Sequence, residues 1–208
     1  MRPVLLVTFA FAISLGSCNS YKQIFLDAEK YEQGGMKEEA LKLYTQIRAQ
    51  DPHNVDAHIS LNRIGDEIMN RYLADMRMSM TSGSFDNAMD TYHIALEFAS
   101  KYRASGVSFF EQFEVQYNAA RSGKADQLYN RAEVMVMEGR YEDAQDVIDK
   151  VYQFAPNHEQ AEYLELLSEL YPSYNRGVKA MDLGLNREAY NHFIQVTCKD
   201  IEFKNAWQ

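Results

Sequence analysis

Four times along its 208 residues the chain repeats one short pattern. A glycine is followed by an alanine five positions later and by a large apolar or aromatic residue four beyond that. The four instances are Gly35–Ala40–Tyr44, Gly83–Ala88–Tyr92, Gly139–Ala144–Ile148 and Gly184–Ala189–Phe193, continued three residues on by Ile47, Ala95, Val151 and Val196. Spacings of three and four place these side chains on one face of a helix. The glycine supplies the positive φ that ends a preceding helix. The alanine, early in the next helix, is small enough to let two helices approach closely. Pro52 and Pro156 stand at the same offset after the first and third instances, where proline stops a helix and opens a turn. No segment shows sustained strand alternation or an Asn-Gly hairpin, and only four prolines and ten glycines occur in the whole chain. The expected fold class is all-α, built from paired helices.

Small residues twelve positions before the alanine complete the pattern in three of the four cases, as Ala28, Ala132 and Gly177; the second has Met76 there. This arrangement resembles the tetratricopeptide repeat, an antiparallel helix pair of about 34 residues that stacks into superhelices. The resemblance implies an irregular α-solenoid with repeats at about 21–54, 69–102, 125–158 and 170–203. Successive key glycines lie 48, 56 and 45 residues apart, which leaves 14, 22 and 11 surplus residues between repeats. Val55 to Met80, interrupted only by Gly65, is expected to be one long helix. Phe109, Phe110, Phe113 and Tyr117 are expected on one face of a helix ending near Ser122-Gly123, and Glu162 to Leu170 as a short helix before Pro172. The last residues, Phe203 to Trp207, resemble the opening of a further repeat. Either Trp207 caps the last helix pair, or the array continues past residue 208.

The N-terminus reads Arg2, then twelve largely apolar residues from Val4 to Leu15, then Leu15-Gly16-Ser17-Cys18. Twelve residues are too few to cross a hydrocarbon core of about 30 Å as a helix but suit the apolar region of an export signal. Leu15-Gly16-Ser17-Cys18 resembles the lipobox of bacterial lipoproteins. The resemblance implies cleavage before Cys18, a diacylglycerol thioether on its sulfur and an N-acyl chain on its amine, which together anchor stably where one chain does not. It also implies a layout of signal peptide (1–17), short lipid tether (18–20) and helical repeat domain (21–208). Asn19 replaces the aspartate that retains such proteins in the inner membrane, so the expected location is the outer membrane, facing the periplasm.

The formal charge of −9 becomes −10 when Arg2 leaves with the signal. An acidic surface repels phosphate backbones and anionic headgroups alike, which argues against nucleic-acid partners and against anchoring by a basic patch. With Cys18 acylated, Cys198 has no intrachain partner; it follows Phe193, Ile194 and Val196 and is expected to be buried and inert. His53, His58, His93, His158 and His192 form no metal-ligand spacing. His53 and His158 are expected as solvated turn residues, and His93 and His192 on helix surfaces. Glu38-Glu39, Asp66-Glu67 and Glu142-Asp143 read as first-turn or solvated-face carboxylates. Nothing marks a catalytic group, a metal site or a cofactor beyond the lipid, and the chain is not expected to be an enzyme.

In the resembled family the first helix of each pair lines a concave face that holds peptide partners. Carried onto this chain, that face comprises Phe25, Glu29 and Glu32; Leu73, Arg77 and Met80; Tyr129, Glu133 and Met137; and Tyr171, Tyr174 and Met181. Tyrosine and methionine suit adaptable protein contacts. Phe25 and Glu29 replace the lysine and asparagine of the family's carboxylate clamp, so that mode is not expected. The expected function is a lipid-tethered scaffold for protein partners in the cell envelope. The alternatives are a surface nutrient- or glycan-binding lipoprotein, and the anchoring N-terminal region of a longer protein.

Overall fold

The computed structural model describes residues 17–205, with side chains from 21 to 204. The expected signal up to residue 16, the lipidated side chain of Cys18 and Trp207 lie outside these. The described residues form eight α-helices: α1 (Ser17–Gln33), α2 (Lys37–Gln50), α3 (Val55–Thr81), α4 (Phe85–Tyr102), α5 (Glu111–Met137), α6 (Tyr141–Phe154), α7 (Glu159–Asp182) and α8 (Asn186–Thr197). Short 3₁₀ turns lie at Arg103–Ser105 and Phe203–Asn205, and no strand occurs among the described residues. The chain is all-α.

Each of the four patterned glycines sits in the turn ahead of an even-numbered helix. Gly35, Gly83, Gly139 and Gly184 have φ of 77°, 73°, 79° and 70°, the left-handed conformation that costs other L-residues about 1–2 kcal/mol. The patterned alanines that follow, Ala40, Ala88, Ala144 and Ala189, are all buried, as are Tyr44, Tyr92, Ile148, Ile47, Ala95, Val151 and Val196. Ala28, Met76, Ala132 and Gly177 are buried too, so the methionine of the second pair fills the site that small residues occupy elsewhere. Gly177 shows why small residues belong there: a Cβ on it would lie 2.7 Å from Cε1 of Phe193, the patterned aromatic of α8.

The chain divides into two compact units, residues 1–82 with 87–116 and residues 83–86 with 117–208. In the first, α1 packs on α2 and α2 on α3. Arg63 of α3 reaches Glu32 of α1 at 2.7 Å, and Lys37 of α2 reaches Glu67 of α3 at 2.7 Å. Tyr72 of α3 meets Phe98 of α4 edge to face, with ring centres 5.8 Å apart. Arg48 Nη1 lies 2.7 Å from His58 Nδ1 and donates to the Ser105 carbonyl at 2.8 Å, tying the first 3₁₀ turn to α2 and α3. In the second unit Ala125, Leu128, Ala132, Ala144, Val147, Val151, Ala161 and Leu164 form one core drawn from α5, α6 and α7. A second cluster joins Leu170 of α7, Val196 of α8 and Phe203.

The surplus residues join the repeat helices rather than forming helices of their own. The expected helix from Val55 to Met80 is α3, 27 residues long. By contrast, α5 begins after Phe109 and Phe110 and runs through Ser122-Gly123 without a break. Gly123 is a contact point: the Phe85 ring lies 2.4 Å from where its Cβ would be. Gly65 of α3 likewise admits Val107, at 2.6 Å. Nor does a helix end before Pro172, because α7 continues through it to Asp182. Packing of α7 on both α6 and α8 outweighs the roughly 3 kcal/mol that an internal proline costs.

Two substitutions test this reading by chemical denaturation. Gly139→Ala is expected to lower unfolding free energy by about 1 kcal/mol, the cost of a left-handed alanine. Pro172→Ala is expected to raise it, by at most about 3 kcal/mol, by restoring a helix hydrogen bond.

Candidate functional site

The residues expected to face a partner lie on the odd-numbered helices, and the structure sorts them by availability. Leu73 is buried within α3 and offers no surface. Arg77, Met137 and Met181 are exposed, the two methionines to 77% and 55%. Met80 is half-buried. The remaining seven are half-buried, and many of them are engaged inside the fold. Phe25 meets Tyr44 edge to face, ring centres 5.2 Å apart, and lines a shallow groove of about 300 Å³ with Tyr21 and Leu26. Glu29 is half-buried one helical turn from Phe25, whereas Glu32 is committed to Arg63. That hydrogen bond raises the Arg63 pKa further above its ordinary value.

In the second unit Tyr129 stacks on His158, with ring centres 5.2 Å apart, and donates to Glu133 at 3.4 Å. Burial, with the Glu133 carboxylate beside it, raises the Tyr129 pKa. Tyr171 lies parallel to Tyr141 at 5.6 Å, and both Tyr171 and Tyr174 meet Phe203 edge to face. The structure therefore gathers Tyr171 and Tyr174 into one aromatic group, which the sequence pattern did not distinguish from the other candidates. Phe203 and Lys204, absent from the expected site, complete it. On the N-terminal half of α7 an open groove of about 460 Å³ is lined by Glu159, Glu162, Tyr163, Glu165, Leu166 and Glu169.

Two expectations about reactive side chains are corrected. Cys198 is exposed, not buried. It follows Val196 by two residues, about 200° around the helix, and so points away from the stripe that Ala189 and Val196 bury. His158 is not a solvated turn residue: its side chain is 10% exposed. Its Nδ1 accepts from the Ala161 backbone N–H at 3.2 Å, capping α7, and Nε2 lies 3.4 Å from Asp126. Asn54 does the same for α3 at the equivalent turn, through Oδ1 and the Ala57 N–H. An accepting Nδ1 fixes the proton on Nε2, which then points at the Asp126 carboxylate. His53 is exposed as expected, and His192 is half-buried with an Nδ1 that finds no partner.

Among the described residues no three His, Cys, Asp or Glu side chains are placed to hold a metal ion, and no helix is long and apolar enough to cross a membrane. Compared with protein-family models and with curated proteins, the chain matches none.

Tyr152 of α6 makes a prediction about alkaline pH. Burial and the hydrogen bond to Glu165 push the Tyr152 pKa up to about 12. A pKa raised in the folded state marks stability that is present below the unfolded pKa near 10 and lost as pH climbs towards 12. Ultraviolet titration is expected to show a late tyrosinate component that Tyr152→Phe removes. If that component remains in the variant, its assignment to Tyr152 is wrong.

Proposed function

We propose that the chain is a lipid-anchored bacterial outer-membrane lipoprotein. In this reading its helix pairs form an irregular tetratricopeptide-like solenoid and serve as a protein-interaction scaffold on the periplasmic side of the envelope. The supporting observation is that all four glycine–alanine units place a left-handed glycine in a three-residue turn between two helices and a buried alanine in the second helix. Repeated helix pairs of this kind commonly serve protein partners. Exposed Met137 and Met181 supply adaptable apolar contact in the second unit, and exposed Arg77 supplies charge in the first. Lipid on Cys18 confines the scaffold to a membrane, which raises its effective concentration for partners held there. No catalytic role and no cofactor other than that lipid belongs to this reading.

Two measurements test it. Cys18→Ser is expected to move the protein from the membrane to the soluble fraction with its helical content unchanged; membrane retention without partners would remove the lipid as anchor. A photo-crosslinker placed at Met137 or Met181 is expected to capture one and the same envelope protein in cells, whereas a crosslinker at Lys150, on α6, does not. Recovery of glycans and no protein would replace the scaffold with the sugar-binding alternative.

A further inference from the structure

Lys204 has an unusual backbone and an unusual neighbour. With φ 45° and ψ 30° it is the one non-glycine residue of positive φ among those described. For a residue with a Cβ this conformation is sterically strained. The turn that leads to it is fixed from behind: Asp200 Oδ1 accepts the Glu202 N–H at 2.9 Å, and Phe203 is buried against Leu170 and Val196. The left-handed step then carries the lysine stem back over α7. Its ammonium nitrogen lies 4.3 Å from the centre of the Tyr171 ring and 5.4 Å from that of Tyr174. Both distances fall inside the cation–π range of about 6 Å.

Nearby Lys199 behaves differently, pairing with the Glu169 carboxylate. Among the described residues Lys204 has no carboxylate partner, so the two ring faces are what its charge meets. The rings are framed by residues other than the lysine. Tyr141 stacks behind Tyr171 at 5.6 Å with planes 8° apart, and Asn175 donates to the Tyr141 hydroxyl at 3.1 Å. Phe193 packs on Tyr174 at 5.8 Å, and Phe203 meets both tyrosines in T-shaped contacts. The result is two phenol faces held in place at the surface, with an ammonium group already between them.

We propose that the Tyr171–Tyr174 corner is a binding site for an organic ammonium group, and that Lys204 is its resident occupant supplied from the same chain. The lysine marks the chemistry the corner accepts and also closes it to other cations. An incoming ammonium must displace Lys204, and displacement releases the left-handed turn. The inference rests on the scaffold reading in placing this corner on a partner-facing helix, and adds the chemical group that one part of the surface takes.

The test uses the full chain with ¹³C-labelled tyrosine rings, titrated with tetramethylammonium chloride and, separately, with Nα-acetyl-lysine methylamide, against sodium chloride at matched ionic strength. In Lys204→Met the Tyr171 and Tyr174 ring resonances are expected to shift saturably, at concentrations at least about tenfold below those wild type requires. Adding Tyr171→Leu is expected to abolish the shift. Lys204→Gly empties the corner and also relieves the backbone strain, so it is expected to bind equally without loss of thermal stability. A response to the lysine derivative alone assigns a partner's lysine side chain, and a response to tetramethylammonium alone assigns a quaternary ammonium head group. No saturable shift in either emptied variant, or equal midpoints in variant and wild type, overturns the proposal. If it fails while the crosslinks at Met137 and Met181 still form, the scaffold reading survives it.

Discussion

The approach of Phe193 to Gly177, so close that a single methyl group on the glycine would collide with the ring, represents the close contact that small residues allow in three of the four helix pairs; the second has buried Met76 there. Two helices joined by a three-residue turn lie antiparallel, and their separation is set by the side chains where they meet. Ala132 and Ala144 lie within one buried cluster of the α5–α6 pair, and Ala28 and Ala40 are both fully buried in the α1–α2 pair. Small residues at the contact allow the large ones beside it, Tyr44, Ile148 or Phe193, to lie across the partner helix rather than push it away. The left-handed glycine matters for the same reason. It reverses the chain within three residues, so the second helix begins in register with the first.

The long odd-numbered helices follow from what such a pair leaves uncovered. Once α6 has packed on the end of α5, its far side is still apolar, and the first half of α7 covers it: Ala161 and Leu164 belong to the α5–α6 core. The second half of the same helix serves α8 instead, through Leu170 and Gly177. At 100° per residue Ala161 and Ser168 lie roughly opposite Gly177, so α7 changes its buried side midway along its length. In the first unit α3 packs on α2 and, further along, brings Tyr72 to Phe98 of α4. Helix caps mark where these covering segments begin. Asn54 and His158 close the N-termini of α3 and α7 one position after the proline turn has ended the preceding helix.

This explains which parts of the fold are legible in the sequence. The turn glycines and buried alanines recur at fixed offsets because the geometry of one hairpin recurs, and the even-numbered helices can be placed from them. The odd-numbered helices blur, because a helix that switches buried sides has no single apolar stripe. Gly123 misleads for a tertiary reason: it reads as a helix end, yet α5 runs through it and the Phe85 ring fills the space it leaves, whereas Val55 to Met80 is one helix through Gly65, as expected. Pro172 reads as a stop, yet α7 is held on both sides of it. The candidate surface was legible by helix but not by residue. Whether Tyr171 is free, stacked or covered by Lys204 depends on where Phe203 anchors the returning chain, about thirty positions away.

The last helix shows the same logic with its covering element changed. The sides of α2 and α6 that turn away from their partners are met by the first halves of α3 and α7. Against α8 the described chain supplies Phe203, buried on Val196 and Leu170, and the lysine that follows it. Tyr190, Ile194 and Cys198, spaced as a packed face would be, are exposed among the described residues. Among the described residues the chain after α8 turns back on α7, and the Cys198 thiol is exposed. The turn has to be left-handed at Lys204 to bring the ammonium over Tyr171, and Phe203 has to be buried to hold it there.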